Sequence, residues 1–346
     1  MSKTVGIIGG GQLGRMLAMA AAKIGVRPHI FAPEPTPCAA DVAQFTQAQY
    51  DDERALQEWA RACDAITFEF ENIPTRHLDV LSDKLRPHHY ALTVSQNRVR
   101  EKEFLRNLDV PLAGFFPVKS REDLQQAANE LQYPIVLKSA ELGYDGKGQY
   151  VLSSSKDIDE ALTVAGDDAV AEAWVPFVGE FSIIAVFGQH NNVVFYDACE
   201  NIHRKQMLAH TRLPASINQA TEALAQNYVA SIGNALGYVG TLTVEFFMLE
   251  DQSILANEIA PRVHNSGHWT IEGAYTSQFE NHIRAVMGMP LGSTKRLGNI
   301  FMENIVGLDM QNYRENLPQE GSFHDYGKNP PKAGRKMGHL TKILPF

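Results

Sequence analysis

The feature that most constrains this chain is a run of glycines close to its start. An apolar segment typical of a strand, Thr4–Ile8, leads directly into Gly9-Gly10-Gly11-Gln12-Leu13-Gly14. Apolar residues then recur at helical spacing from Leu13 to Ile24, and Pro28–Phe31 has the character of a second strand. A strand, a glycine turn, a helix and another strand predict a βαβ unit with a parallel crossover.

The function of this turn has three interpretations. The run matches GxGxxG, and Glu34 follows at the distance where a dinucleotide-binding domain places the carboxylate that binds ribose. A glycine turn at a helix N-terminus can also hold another phosphate group, or it can be purely structural. Because Glu34 stands between two prolines in a loop, the sequence favours a phosphate ligand other than a dinucleotide.

Charge and composition narrow the classes of partner. The chain has 346 residues, with 31 Lys and Arg against 40 Asp and Glu, so its net charge of −9 argues against a protein that coats nucleic acid. It lacks an uncharged apolar run of the roughly 18 residues that span a bilayer. Its three cysteines show no CxxC spacing, which indicates inert thiols in a reducing compartment. We therefore expect a cytoplasmic protein with no nucleic-acid or membrane partner.

The pattern of strands and helices changes along the chain. The first part alternates as a doubly wound α/β domain does, and residues 111–117 read as a connector. From Ala169 onward, β-rich segments dominate and predict mixed α+β structure. The predicted helices are Asp52–Ala62, Asn97–Leu108, Arg121–Leu131 and Gln219–Leu236. The predicted strands are Ala65–Phe70, Ile135–Lys138, Gln149–Leu152, Ala169–Ala173, Phe181–Phe187, Val193–Tyr196, Leu242–Leu249 and Ile254–Ile259.

A second glycine-rich segment lies between two predicted strands. Ile135–Lys138 is followed by Gly143-Tyr144-Asp145-Gly146-Lys147-Gly148 and then by Gln149–Leu152. Such a loop can close over a phosphate chain, to which its N–H groups and Lys147 supply positive charge. Lys138 could reach the same phosphates as a point charge. The alternative is a flexible hairpin with an ordinary surface lysine.

Two acids occur on successive strand-like segments with apolar neighbours. Glu245 and Glu258, with Asn257 beside the second, offer hard oxygen ligands suited to Mg²⁺ between protein and phosphates. Buried salt bridges are the alternative, with Arg262 as an obvious partner. The polar run from Pro261 to Trp269 follows at once, and its density of Arg, His and Asn is typical of a binding loop.

The order of these motifs, with Glu172-Ala173-Trp174-Val175 between the glycine-rich loop and Glu245, resembles that of the ATP-grasp superfamily. The run Asn257–Thr270, GGGQLGRM near the start and AGRKMGHL at Ala333–Leu340 are more specific. They are similar to the 5-(carboxyamino)imidazole ribonucleotide synthetases of purine biosynthesis over nearly the whole chain. One departure is Gln206, which stands where family members often have glycine, and the stretch Ala209–Ala215 is also atypical.

This resemblance implies an α/β and α+β protein in three parts. Residues 1–96 would form a Rossmann-like domain, 97–294 an ATP-grasp module whose lid lies within 97–175, and 295–346 a small C-terminal β domain. The implied reaction is carboxylation of 5-aminoimidazole ribonucleotide by bicarbonate, with ATP, Mg²⁺ or Mn²⁺ as cofactors and carboxyphosphate as the intermediate. A homodimer is implied as well.

The resemblance also implies roles for individual residues. The catalytic residues would be Lys138, Arg262 and His264, and the metal ligands Glu245 and Glu258. The residues that would contact ATP are Arg98, Lys138, Gly143, Tyr144, Asp145, Gly146, Lys147, Gly148, Glu172, Ala173, Trp174, Val175, Glu180, His203, Asn257 and Glu258. The residues that would contact the ribonucleotide are Gly11, Gln12, Leu13, Glu71, Tyr144, Asp145, His264, Asn265, Arg335 and Lys336.

Overall fold

The chain begins with the predicted βαβ unit, which belongs to a four-stranded parallel sheet. The computed structural model describes residues 3–143, 147–166, 168–189 and 192–346. In the first sheet the strand order is β3-β2-β1-β4, and helices cover its two faces. The elements of this Rossmann-like part are β1 Thr4–Ile8, α1 Gln12–Lys23, β2 Arg27–Ala32, β3 Gln44–Gln47, α2 Glu53–Arg61, β4 Ala65–Phe68 and α3 Tyr90–Ser95.

A small antiparallel sheet with helices packed on it follows. Its strand order is β5-β8-β6-β7. Strand β5 begins inside the segment predicted to be a connector, so that prediction was wrong for its second half. Pro117 fits there because β5 is an edge strand, where one missing N–H leaves no partner unpaired. The elements are α4 Arg98–Asn107, β5 Phe115–Val118, α5 Arg121–Leu131, β6 Ile135–Ser139, β7 Gln149–Leu152, α6 Ile158–Ala165 and β8 Ala169–Ala173.

The largest sheet carries most of the functional residues. Its path is β14-β13-β9-β11-β12-β15-β17-β16, and β10 pairs with the outer part of β9. Helix α7 packs on one face and α9 on the other. The elements before the C-terminal strands are β9 Gly179–Phe187, β10 Val193–Phe195, β11 Cys199–Arg204, β12 Met207–Leu213, α7 Gln219–Ala235, β13 Gly240–Met248, β14 Ile254–Ala260, α8 Thr270–Gly273 and α9 Gln278–Val286.

The C-terminal strands extend this same sheet. Strand β15 pairs antiparallel with β12, which joins the end of the chain to the central part by main-chain hydrogen bonds. The elements are β15 Asn299–Val306, α10 Asp309–Glu315, β16 Ser322–Asp325 and β17 Lys336–Leu344. Together the three parts confirm the predicted α/β and α+β fold class. None of the helices in the described ranges is long and apolar enough to cross a membrane.

Candidate active site

A cleft of about 550 Å³ lies where the three parts of the chain meet. It brings together residues that are far apart in the sequence but were predicted to act together. The predicted residues that line it are Glu71, Arg98, Lys138, Gly143, Glu172, Ala173, Trp174, Val175, Glu180, His203, Glu245, Asn257, Glu258, Arg262, His264, Asn265 and Lys336. Among the described residues, the walls do not include Gly11, Gln12, Leu13, Lys147, Gly148 or Arg335. Tyr144, Asp145 and Gly146 lie outside the described residues.

Lys138 lies at the end of β6 and is not an ordinary surface lysine. Its Nζ is 3.1 Å from Glu172 Oε2, and the Nζ of Lys102 is 3.2 Å from the same oxygen. Burial alone would raise the pKa of Glu172, but the two ammonium groups lower it to about 2. Burial also lowers the pKa of Lys138, and Lys102 lowers it further, against the attraction of Glu172. Lys138 is thus held by a buried carboxylate at the edge of the cleft.

The acidic pair faces across two adjacent strands. Glu245 on β13 stands directly opposite Glu258 on β14, next to a register shift at which Asn257 of β14 has no partner on β13. Burial and the charge of Glu258 raise the pKa of Glu245 to about 7. Arg98 Nη1 lies 3.4 Å from Glu258 Oε2. One arginine beside two close carboxylates leaves negative charge that a divalent cation with oxygen ligands would neutralise.

Arg262, which the salt-bridge alternative named as an obvious partner, does not pair with either of these acids. Its guanidinium instead binds both oxygens of Glu71, through Nε to Oε2 and through Nη2 to Oε1 at 3.1 Å. Burial opposes the charge of each group, but the pairing raises the pKa of Arg262 and lowers the pKa of Glu71. The pair joins the N-terminal part to the loop after β14. Arg262 therefore stays charged in the cleft, with its orientation fixed.

The polar loop after Arg262 is held by a network of buried hydrogen bonds. The main chain of His264 is fixed by the Gln278 side chain, which accepts from its N–H at 3.0 Å and donates to its carbonyl at 2.6 Å. Nδ1 of His264 lies 2.8 Å from Ser266 Oγ. Burial and nearby cations lower the pKa of His264 well below its ordinary value, so the ring is neutral. Asn265 exchanges two hydrogen bonds of 2.8 Å with Asn304. The loop is thus a rigid wall that presents polar atoms.

His203 and Glu180 form another contact at the cleft. Nδ1 of His203 is 2.6 Å from Glu180 Oε2, and this carboxylate raises the pKa of the ring although burial opposes the charge. The turn between β11 and β12 follows directly. In this turn Lys205 and Gln206 have φ of 49° and 63°, in the left-handed region that glycine adopts most easily. The glycine that the resemblance implies at the position of Gln206 would adopt this φ without strain, and Gln206 itself lines the cleft.

The described ends of the second glycine-rich segment meet at the base of a hairpin. The N–H of Ser139 donates to the carbonyl of Gly148 at 2.7 Å, and Gly148 has φ of 69°. The carbonyl of Gly143 accepts a hydrogen bond of 3.3 Å from Arg98 Nη2. Arg98 thereby links one side of the loop to the acidic pair.

The first glycine turn binds a carboxylate of the chain itself. The N–H groups of Gly11 and Gly14 donate to the two oxygens of the Glu69 carboxylate, at 2.6 and 2.7 Å. Two donors that a bound phosphate could use are therefore taken by this carboxylate, and the phosphate interpretation of the turn stays a prediction. Strand β4 ends at Phe68, two residues before the predicted end, and Glu69 follows it directly.

Several residues in and around the cleft were not predicted. Glu101 and Lys102 on α4 are both buried. Glu101 accepts a hydrogen bond from the N–H of Ile259 on β14, and Lys102 pairs with Glu172 on β8. Phe177 and Phe247 stack with centroids 4.6 Å apart on the cleft wall. Lys328 is buried, and its Nζ donates to the carbonyl of Lys336 at 2.9 Å. These residues carry no local motif, since only the folded chain brings them to the cleft.

A histidine cluster lies outside this cleft. Glu272, His324 and His339 have ligand atoms within 4.8 Å of one another. The rings of His324 and His339 stack 4.4 Å apart at an interplanar angle of 8°, so their in-plane lone pairs cannot converge on one ion. Nε2 of His324 already lies 2.5 Å from Glu272 Oε1. We assign no metal to this cluster. The three cysteines are free thiols, and burial raises the pKa of each well above its ordinary value.

Three sequence models match consecutive parts of the chain. They describe a ribonucleotide synthetase preATP-grasp domain at residues 1–96, an ATP-grasp domain at 103–279 and a phosphoribosylaminoimidazole carboxylase C-terminal domain at 301–345. The N5-carboxyaminoimidazole ribonucleotide synthase of Brucella melitensis is 44% identical, over 99% of this chain and 96% of that protein.

Solved structures agree in fold. A crystal structure of an N5-carboxyaminoimidazole ribonucleotide synthetase with ADP has a TM-score of 0.96 and 40% identity, covering 100% of this chain and 93% of that one. The Aspergillus clavatus synthase with ADP and 5-aminoimidazole ribonucleotide has a TM-score of 0.92 and 31% identity, covering 99% and 94%. This chain therefore belongs to the N5-carboxyaminoimidazole ribonucleotide synthase family of ATP-grasp enzymes.

Proposed function

We propose that this chain is an ATP-dependent ligase that carboxylates the amine of 5-aminoimidazole ribonucleotide with bicarbonate. The products would be 5-(carboxyamino)imidazole ribonucleotide, ADP and phosphate, a step of purine biosynthesis. The observation that carries the proposal is the convergence of Lys138, the acidic pair and the Arg262–Glu71 pair in one cleft. These groups match the charges of a nucleotide, a metal ion and an anionic second substrate.

ATP fits the cleft from its apolar end to its charged end. Val136, Trp174, Val175, Phe177 and Phe247 line one region and could pack against a purine base. Lys138 and Arg98 lie beyond them, where the phosphate chain would extend. Lys147 and the loop around it would cover the phosphates, as the sequence predicts.

The acidic pair fits a magnesium site. The side chains of Glu245 and Glu258 would hold Mg²⁺, or Mn²⁺ in its place, with Asn257 beside them. Burial and the repulsion between the two acids raise the pKa of Glu245 to about 7, and a bound cation would offset that repulsion. When bound, the ion supplies charge neutralisation between the phosphate oxygens during phosphoryl transfer.

The chemistry begins with the activation of bicarbonate. Attack of a bicarbonate oxygen on the γ-phosphorus of ATP breaks the bond to ADP and forms carboxyphosphate. The ribonucleotide amine then attacks the carboxyl carbon, and phosphate leaves with one oxygen that came from bicarbonate. The protein acts mainly by positioning and by electrostatic stabilisation. Arg262 would stabilise charge on the transferring phosphoryl group.

The ribonucleotide would lie beside the polar loop. That end of the cleft is lined by Glu71, His264, Asn265 and Lys336. Lys328 interacts electrostatically with Arg335 and Lys336. His264 would orient bicarbonate or carry a proton, while its neutral ring also suits a structural hydrogen bond. We also expect contacts from Gln12 and Leu13 at the first turn, and a homodimer in the cytoplasm.

Phosphate release tests the proposal. We expect bicarbonate-dependent hydrolysis of ATP that rises strongly when 5-aminoimidazole ribonucleotide is added. Phosphate release that ignores the ribonucleotide would contradict the substrate assignment and favour another ATP-grasp ligase. Sedimentation of the purified protein would test the dimer.

A further inference from the structure

Glu69 occupies the anion-binding position of the first glycine turn. Its two carboxylate oxygens accept from the N–H groups of Gly11 and Gly14, and the residue is 7% exposed. In a dinucleotide-binding domain such N–H groups and the helix N-terminus receive a ligand phosphate. Here the carboxylate comes from the chain itself, from the carboxyl end of the neighbouring strand β4.

The glycines of the turn are shaped around this carboxylate. A Cβ on Gly11 would lie 2.6 Å from Glu69 Oε1, and a Cβ on Gly9 would lie 2.4 Å from Glu69 Cγ. The opposite side of the turn is also covered, because a Cβ on Gly10 would lie 2.3 Å from Pro37 Cβ. The GxGxxG pattern therefore serves close packing around an internal acid, which occupies two of the N–H groups that would face a pyrophosphate.

Glu69 is also linked to the cations of the substrate end. Burial raises its pKa, while the two N–H groups, Lys328 and Arg262 favour its charged form. Lys328 interacts in turn with Arg335 and Lys336, and it donates a hydrogen bond to the carbonyl of Lys336. Glu69 thus contacts the turn directly and interacts electrostatically with Lys328 and Arg262.

We propose that Glu69 is a positioning residue and a built-in anion for this site. It replaces the phosphate that the turn would otherwise bind, so that the substrate phosphate is directed to the cations rather than to the turn. It also holds the start of α1 in place beside the ribonucleotide site. This role rests on the proposed function, because it assigns Glu69 to the recognition of that substrate.

Two variants at Glu69 test the proposal. In Glu69→Gln one amide N–H must face a main-chain N–H, so we expect KM for the ribonucleotide to rise by roughly tenfold or more. KM for ATP should change less than about twofold, since the nucleotide end lies elsewhere in the cleft. Glu69→Ala should likewise raise KM for the ribonucleotide more than KM for ATP. Glu34→Gln is the matched control, because Glu34 is exposed in the nearby loop and should leave both KM values unchanged.

Chemical rescue separates positioning from general damage. Glu69→Ala leaves two buried N–H donors and a space that formate can fill, so formate should lower KM for the ribonucleotide severalfold. It should not help Glu69→Gln, whose side chain still fills the space. The proposal would be overturned if both KM values rose together in a folded Glu69→Gln protein, or if formate had no effect on Glu69→Ala. Lack of ribonucleotide-dependent turnover in the unmodified enzyme would refute the proposed function instead.

Discussion

Replacing Lys102 with methionine tests how the nucleotide end of the cleft is held together. Lys102 is buried on α4, and its Nζ shares Glu172 Oε2 with Lys138. Methionine keeps most of the length of lysine and its apolar stem but removes the charge. The change therefore takes away one of two cations that hold a buried carboxylate in its ionised form.

The size of the effect follows from the pKa of Glu172. Burial would raise this pKa, yet the cations lower it from 4.5 to about 2, which corresponds to roughly 3 kcal/mol at neutral pH. The two Nζ atoms are nearly equidistant from this oxygen, so the loss of Lys102 should cost about 2 kcal/mol. Because the folded-state pKa is lowered, the stabilisation is complete above about pH 4.5 and is lost as the pH falls towards 2.

Urea unfolding at pH 7 measures this cost. Lys102→Met should lower the free energy of unfolding by about 2 kcal/mol, and the same change should cost less in a Glu172→Gln background. Arg54→Met is the matched control, because Arg54 makes an exposed pair with Glu58 and should change stability by less than about 0.5 kcal/mol. A loss below about 0.5 kcal/mol for Lys102→Met, or equal losses in both backgrounds, would refute the reasoning.

Three further predictions concern other parts of the cleft. Arg262→Ala should lower kcat by about 100-fold through lost transition-state stabilisation, and near-normal turnover at saturating ATP would contradict its role. The raised pKa of Glu245 should make the metal-free protein less stable as the pH rises from about 4.5 to 7. Mg²⁺ should therefore raise Tm more at pH 8 than at pH 6, and a response unchanged in Glu245→Gln would count against this metal site. Gln206→Gly removes the strain of a positive φ in the folded state but raises the conformational entropy of the unfolded chain. The free energy of unfolding in urea should therefore change by no more than about 1 kcal/mol, and a loss above about 2 kcal/mol would contradict this balance.

Local patterns predicted the elements well where a single physical signal dominated. Helix Arg121–Leu131 and strands Gln149–Leu152 and Ala169–Ala173 have the predicted bounds, because apolar periodicity and flanking caps agree there. Strand β5 was missed because Pro117 argues against a strand unless its place at a sheet edge is known. That place depends on the pairing with β8, which lies more than 50 residues away.

The candidate site shows the same limit. Lys138, Glu245 and Arg262 stood out as charges within apolar or motif-rich surroundings, and all three line one cleft. The partner of Arg262 is Glu71, a choice among several acids that only tertiary structure makes. For the same reason the sequence did not reveal the internal partner of the glycine turn, which is Glu69, 55 residues after Gly14. A motif thus indicates which donors are available, but it does not identify their acceptor.

Isotope transfer from bicarbonate tests the central claim most directly. The enzyme would be given bicarbonate labelled with ¹⁸O and ¹³C, together with ATP and 5-aminoimidazole ribonucleotide, and phosphate and ribonucleotide would be examined by mass spectrometry. We predict one ¹⁸O atom in each phosphate released and one ¹³C on the exocyclic amine, in equal amounts. Phosphate without ¹⁸O, or labelled phosphate formed without a carboxylated ribonucleotide, would contradict the account.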